Sequence, residues 1–216
     1  MREILMLIME ILGTIAFSVS GTLVAVRCGL DLFGVLTVGT ITAVGGGIIR
    51  DVIIGQIPPT VFTKPEILIL ALLTSLVVFI IAFVNSKRIK DLQQKIDSLN
   101  IFFDAVGLAA FSVTGVEVTC AAGHTENVVL PIVLGVITGV GGGVLRDVLV
   151  NEKPYILIKH IYAVASLLGA VVYYLVGIRF GYQLVGTIVS ILITITIRML
   201  AAKFRWNLPK VMEKIF

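Results

Sequence analysis

The chain has 216 residues, 58% of them hydrophobic and 14% charged, and a mean hydropathy of +1.09. Soluble domains carry about 25% charged residues, and a single water-soluble core of this length has nowhere to hide so much apolar surface, which excludes a soluble enzyme, a nucleic-acid-binding module and a disordered protein. The formal charge of +4 therefore reads as membrane topology, with no nucleic acid as partner.

A membrane helix takes about 20 mostly apolar residues. Seven stretches qualify, at Ile4–Val26, Leu32–Ile54, Ile67–Val84, Ile101–Ala122, Val128–Val150, Ile156–Ile178 and Phe180–Met199. The runs are continuously apolar rather than alternating, so a β-barrel does not fit. The first is expected to be a retained helix rather than a secretory signal, since no small-residue cleavage site follows it. The one substantial loop, Asn85–Asn100, sets Lys87, Arg88, Lys90 and Lys95 against Asp91 and Asp97, and reads as a solvated charged face.

The chain repeats itself. Gly39-Thr-Ile-Thr-Ala-Val-Gly-Gly-Gly-Ile-Ile-Arg-Asp-Val52 returns as Gly135-Val-Ile-Thr-Gly-Val-Gly-Gly-Gly-Val-Leu-Arg-Asp-Val148, identical at ten positions. Upstream, Ala16-Phe-Ser-Val-Ser-Gly21 matches Ala110-Phe-Ser-Val-Thr-Gly115, Glu10 answers Asp104, and Pro58 answers Pro154. The pattern predicts an all-α polytopic membrane protein: a first three-helix repeat (1–84), a basic cytoplasmic connector (85–100), a second repeat (101–178), then a seventh helix and basic tail (179–216). Three crossings are odd, so the second copy is expected to be inverted about an axis in the membrane plane.

With the N-terminus outside, the inner loops and tail carry Arg27, Lys87, Arg88, Lys90, Lys95, Lys153, Lys159, Lys203, Arg205, Lys210 and Lys214, and the outer side only Arg2, Lys64 and Arg179. Basic residues accumulate on the cytoplasmic side, which predicts N-out and C-in across a prokaryotic inner membrane. Cys28 falls at the inner end of the first span and Cys120 near the outer end of the fourth, about a bilayer apart, so no disulfide is expected.

Glycine triplets inside a membrane helix cost about 1 kcal/mol per residue against alanine in soluble hosts. Gly45, Gly46 and Gly47, with Gly141, Gly142 and Gly143, have two readings: close packing of small residues, or kinked helices lining a pathway with exposed carbonyls. Arg50-Asp51 and Arg146-Asp147 follow within a turn. Adjacent residues diverge by about 100° on a helix, so mutual pairing is not required. The alternatives are snorkelling to the interface and a role at the mouths of a pathway, with Glu10, Asp104 and Glu117 as acidic partners. Ser18, Thr42, Ser112 and Thr138 supply hydroxyls either for packing or for a polar path. Phe17 and Phe111 suit core packing or a constriction, while His124 and His160 read as interfacial residues. No zinc-protease, nucleophile-elbow or dinucleotide motif is present, no enzyme is predicted, and no cofactor is expected.

With its seven spans, its duplication and its two Gly-Gly-Gly-x-x-Arg-Asp elements, the whole chain resembles the prokaryotic trimeric intracellular cation (TRIC) channel family, which overlaps the bacterial glycine transporters. The resemblance implies a homotrimer with one hourglass pore per protomer. It places Gly45–Gly47 and Gly141–Gly143 at kinks flanking that pore, and Arg50 and Arg146 near the conducting path. The animal branch carries a Lys-Glu-Val tripeptide on its second helix, which this sequence lacks. The function expected is a passive channel for monovalent cations, K⁺ and Na⁺, in contact with membrane lipids. The alternative is a secondary transporter of a small amino acid such as glycine.

Overall fold

The computed structural model describes residues 2–85, 93–158 and 161–206. Lys87, Arg88, Lys90, Asp91, Lys159, His160, Lys210 and Lys214 lie outside the described residues. Among the described residues seven helical stretches are long and apolar enough to cross a membrane, the sixth of them Tyr162–Arg179; their α-helical parts are α1 (Arg2–Arg27), α2 (Leu32–Ile53), α3 (Pro65–Val84), α4 (Gln93–Thr119), α5 (Val129–Leu149), α6 (Tyr162–Val172) and α7 (Gln183–Phe204). A π-helical turn, Cys120–His124, extends α4, and a π-helical segment, Tyr173–Arg179, extends α6. No strand occurs among the described residues.

Local chemistry sets the helix ends, and the two copies repeat it. Asp31 accepts the Gly34 amide at 2.8 Å and opens α2; Asn127 accepts the amides of Val129 and Leu130 and opens α5. At the far ends the Gln56 amide donates to the Asp51 carbonyl and the Glu152 amide to the Asp147 carbonyl, each at 2.8 Å. Both closures need a left-handed residue, Gly55 in one copy and Asn151 in the other, the two residue types that tolerate it best.

The sixth span begins later than the apolar pattern predicts. Tyr155–Ile158 forms a separate helical turn because the Asp147 carboxylate accepts the Tyr155 amide at 2.8 Å and fixes that turn beneath α5. The equivalent turn, Thr60–Thr63, is held by Asp51 through the Thr60 amide, also at 2.8 Å.

The interior is polar and the exterior apolar. Thr14, Ser18, Thr22, Ser112 and Ser166 are buried, whereas Ile69, Leu73, Val77 and Ile80 on α3 face outward. Lipid gives apolar side chains no reason to hide, and small polar residues let helices approach and bond. Phe17, Leu108 and Phe111 pack with Ala43, Val44 and Val140 at the centre. Both cysteines are free.

Candidate functional site

α2 and α5 meet at their glycine triplets through reciprocal contacts. A Cβ on Gly46 would strike the carbonyl of Thr138, and one on Gly142 the carbonyl of Thr42. Residue i of one copy meeting residue j of the other, and the reverse, is the mark of a local two-fold relation. Gly141 faces the Gly46 backbone, Gly45 faces Leu145, and Gly143 lies beneath the Tyr162 hydroxyl. The close-packing reading is therefore realised, and α2 and α5 run as unbroken helix through both triplets. The partner backbone covers these turns, so their hydrogen bonds stay intact.

Each Arg-Asp element is a mutual ion pair, a pairing that helical spacing left open. Arg50 Nη2 lies 2.7 Å and Nε 2.9 Å from Asp51 Oδ1, and Arg146 Nε lies 2.8 Å from Asp147 Oδ1. The long arginine side chain folds back along its own helix to reach the next residue. Snorkelling is overturned: Arg146 is 0% exposed and Arg50 8%, and charges at such depth persist only when paired.

Around Arg146 the pairing becomes a network. Its Nη1 donates to Asp104 Oδ1 at 2.8 Å and to Ser20 Oγ at 2.7 Å, and Ser20 donates in turn to Asn100 Oδ1 at 2.8 Å. Arg198 of α7 brings Nη2 to 3.7 Å from Asp104 Oδ2 and stacks 4.4 Å from the Tyr162 ring centroid. Two arginines and two aspartates thus balance in a fully enclosed cluster. Glu117, the other acidic candidate, pairs with Arg2 and accepts the Tyr173 hydroxyl at 2.5 Å.

Arg50 stands in different surroundings. A cavity of about 610 Å³ opens beside it among α1, α2, α4 and the turn ending at Lys64. Glu10, Thr14, Gly47, Arg50, Asp51 and Thr114 line it, with Glu3 and Lys64 at its rim, and none of its lining residues comes from α5. Phe111 bounds it, and its ring centroid is 5.3 Å from that of Phe17.

Of the sequence candidates, the structure brings Gly47, Arg50 and Asp51 to this cavity. The four hydroxyls are elsewhere. Thr42 and Thr138 donate to the carbonyls of Val38 and Leu134, each at 2.6 Å. Ser112 bonds the Leu108 carbonyl at 2.7 Å and lies 2.6 Å from Ser166 Oγ, and Ser18 is buried without a partner. Sequence reasoning passed over Arg198, Tyr162, Asn100, Thr14 and Thr114. An arginine between Ile197 and Met199 in an apolar run was a usable signal for the first; only packing reveals the others.

A duplicated seven-helix bundle with ion pairs at depth and a charged cavity defines a polytopic membrane protein of internally repeated build. The family described as "Glycine transporter" matches residues 7–82 and 101–178. The chain is 35% identical over 202 residues to the UPF0126 inner membrane protein YadS of Escherichia coli K12, covering 93% of each. It is likewise 35% identical over 202 residues to the UPF0126 membrane protein YvgT of Bacillus subtilis, covering 94% of each. Among solved structures, a prokaryotic TRIC channel in 0.5 M KCl matches with TM-score 0.83 and 35% identity, over 95% of this chain and 100% of that one. The TRIC orthologue of Rhodobacter sphaeroides matches with TM-score 0.81 and 31% identity, over 93% and 98%. The chain belongs to the TRIC channel family, which the glycine transporter description also covers.

Proposed function

We propose that the chain is a passive channel for monovalent cations, K⁺ and Na⁺, acting as a homotrimer in a prokaryotic inner membrane, with the N-terminus outside and the C-terminus cytoplasmic. The observation that carries this reading is the charged cavity beside Arg50, which reaches inward to the Phe17–Phe111 pair. Cations would gather at Glu3 and Glu10, while the Asp51 carboxylate neutralises Arg50. Beyond the two rings the path meets Arg146, held by Asp104, Asp147 and Ser20. In this arrangement that half is shut, and conduction requires Arg146 to leave Asp104. A mobile arginine feels about 2.3 kcal/mol per 100 mV, which makes voltage a sufficient trigger. The glycine contacts between α2 and α5 give the two halves a common pivot.

The relatives support the reading, since the solved structures that the chain resembles are TRIC channels. Purified protein in a planar bilayer should show unitary currents whose reversal potential in asymmetric KCl follows the K⁺ gradient; silent bilayers would sink the proposal. A carrier of a small zwitterion such as glycine is the second reading, favoured by the family description and by a cavity open on one side of a repeated bundle. Saturable uptake of labelled glycine that depends on a coupling ion would select it.

A further inference from the structure

We propose that Glu10, with the hydroxyls of Thr14 and Thr114, binds one alkali-metal cation in the cavity beside Arg50; this deepens the channel reading and rests on it. The two copies of the repeat supply the argument. In the second copy, a guanidinium nitrogen sits between an acid and a hydroxyl: Arg146 Nη1 is 2.8 Å from Asp104 Oδ1 and 2.7 Å from Ser20 Oγ. Glu10 answers Asp104 in the repeat, and Thr114 answers Ser20. Both line the cavity together with Arg50, yet Arg50 turns to Asp51 alone. The repeat thus places an acid and a hydroxyl at matched positions in both copies; the chain's own guanidinium bridges one set, and the other lines a cavity.

The oxygens of this site are free to bind. Glu10 makes no hydrogen bond or close ion pair among the described residues; Lys64 and Arg50 act on it through space, leaving its oxygens without a direct donor. Thr14, one helical turn along the same face of α1, is 0% exposed, lines the inner end of the cavity and has a hydroxyl without a partner. The Thr114 hydroxyl makes only a long contact, 3.4 Å, to the Phe111 carbonyl, which leaves its lone pairs available. Asp51 is not a competitor, because Arg50 takes one of its oxygens and the Thr60 amide the other.

Charge fixes the class of ion. Arg50 cancels Asp51, and Lys64, which acts on Glu10, offsets one of the two glutamates Glu3 and Glu10, so the cavity lining keeps a single negative charge. One carboxylate with neutral hydroxyls suits a monovalent ion; Ca²⁺ takes six to eight oxygens, several from carboxylates, and Mg²⁺ demands near-octahedral geometry. At about 30 Å³ per water, the cavity also holds the waters that complete the ion's shell.

Thallous ion is the probe. Crystals of the full-length protein soaked in thallous nitrate should show an anomalous peak between Glu10 and Thr114. The peak should be lost in E10Q, weakened in T114V, and competed away by excess KCl. In bilayers, E10Q should shift the reversal potential in a KCl gradient toward zero. A peak that survives E10Q unchanged, displacement by glycine but not by KCl, or no peak in a protein that passes K⁺ current would each overturn the site. A peak that depends on Glu10 in a protein passing no current would uphold the site and remove the channel reading.

Discussion

Arg146 Nη1 lies 2.8 Å from Asp104 Oδ1, with both side chains essentially inaccessible to solvent. The bond ties α5 to α4, whereas at the matching position of the other copy Arg50 leaves Glu10 unbonded. One sequence element therefore occurs in two arrangements within a single chain, bridged and unbridged, and this contrast shapes what substitutions should do.

Arg146→Met removes the guanidinium from two aspartates at once, leaving Asp104 the 3.7 Å contact to Arg198 and Asp147 the Tyr155 amide, and breaking a buried ion pair from one side costs about 3–5 kcal/mol. Arg50→Met should cost clearly less, since it uncovers one aspartate rather than two and Asp51 borders a cavity that admits water. Thermal unfolding of the two variants in detergent tests the order. Equal losses would mean that the enclosed network adds nothing to the simple pair.

Asp104→Asn loosens the bridge while leaving Arg146 its bond to Asp147. In bilayer recordings the variant should open more often than wild type at the same voltage. Unchanged open probability would take this bridge out of gating.

Gly46→Leu and Gly142→Leu each drive a side chain into a carbonyl of the facing helix. Overpacking of this kind costs about 1–3 kcal/mol, and the two losses should be similar because the contacts are reciprocal. Gly47→Ala is the control: its added Cβ would meet nothing nearer than Arg50 Nη2 at 3.7 Å. That variant should unfold no earlier than wild type.

Thr138→Val removes a hydroxyl that bonds its own helix and does not line the cavity beside Arg50. Hydrogen bonds between membrane helices average about 0.6 kcal/mol, and the loss here should be no larger. Unitary conductance should be unchanged; a fall would put Thr138 on the path.

Cys28 is exposed and Cys120 buried. An impermeant maleimide should label Cys28 alone, and only from the cytoplasmic face if the N-terminus lies outside. Partial burial and the neighbouring Glu152 carboxylate raise the Cys28 thiol above its ordinary pKa, so less thiolate is present at neutral pH. The labelling rate should still be climbing at pH 9, and Glu152→Gln should move that rise to lower pH. Rates that level off near pH 8 in wild type would contradict this.

How far the site was legible can be followed through particular residues. The doubled Gly-Gly-Gly-x-x-Arg-Asp elements drew attention to α2 and α5, whose glycine triplets meet in the structure; glycine triplets and intramembrane charges are costly features to find twice in one chain. Which part each residue plays was not legible. Spacing on one helix left the Arg50–Asp51 and Arg146–Asp147 pairing open, since it ignores how far an arginine side chain bends. Thr42 and Thr138 suited packing or a polar path, with packing the favoured reading; their bonds to the carbonyls four residues back show how they are held.

By itself the sequence determined that this is a membrane protein of seven apolar helices, built by duplication, with its rare charges at matched positions. Hydropathy and repetition are properties of the chain in order, so they survive being read in one dimension. Only the tertiary structure decided that Arg146 is enclosed by Asp104, Ser20 and Asp147 while Arg50 borders a cavity with Glu10. Two nearly identical elements acquire different surroundings because different helices pack around them, with α7 bringing Arg198 to one side only.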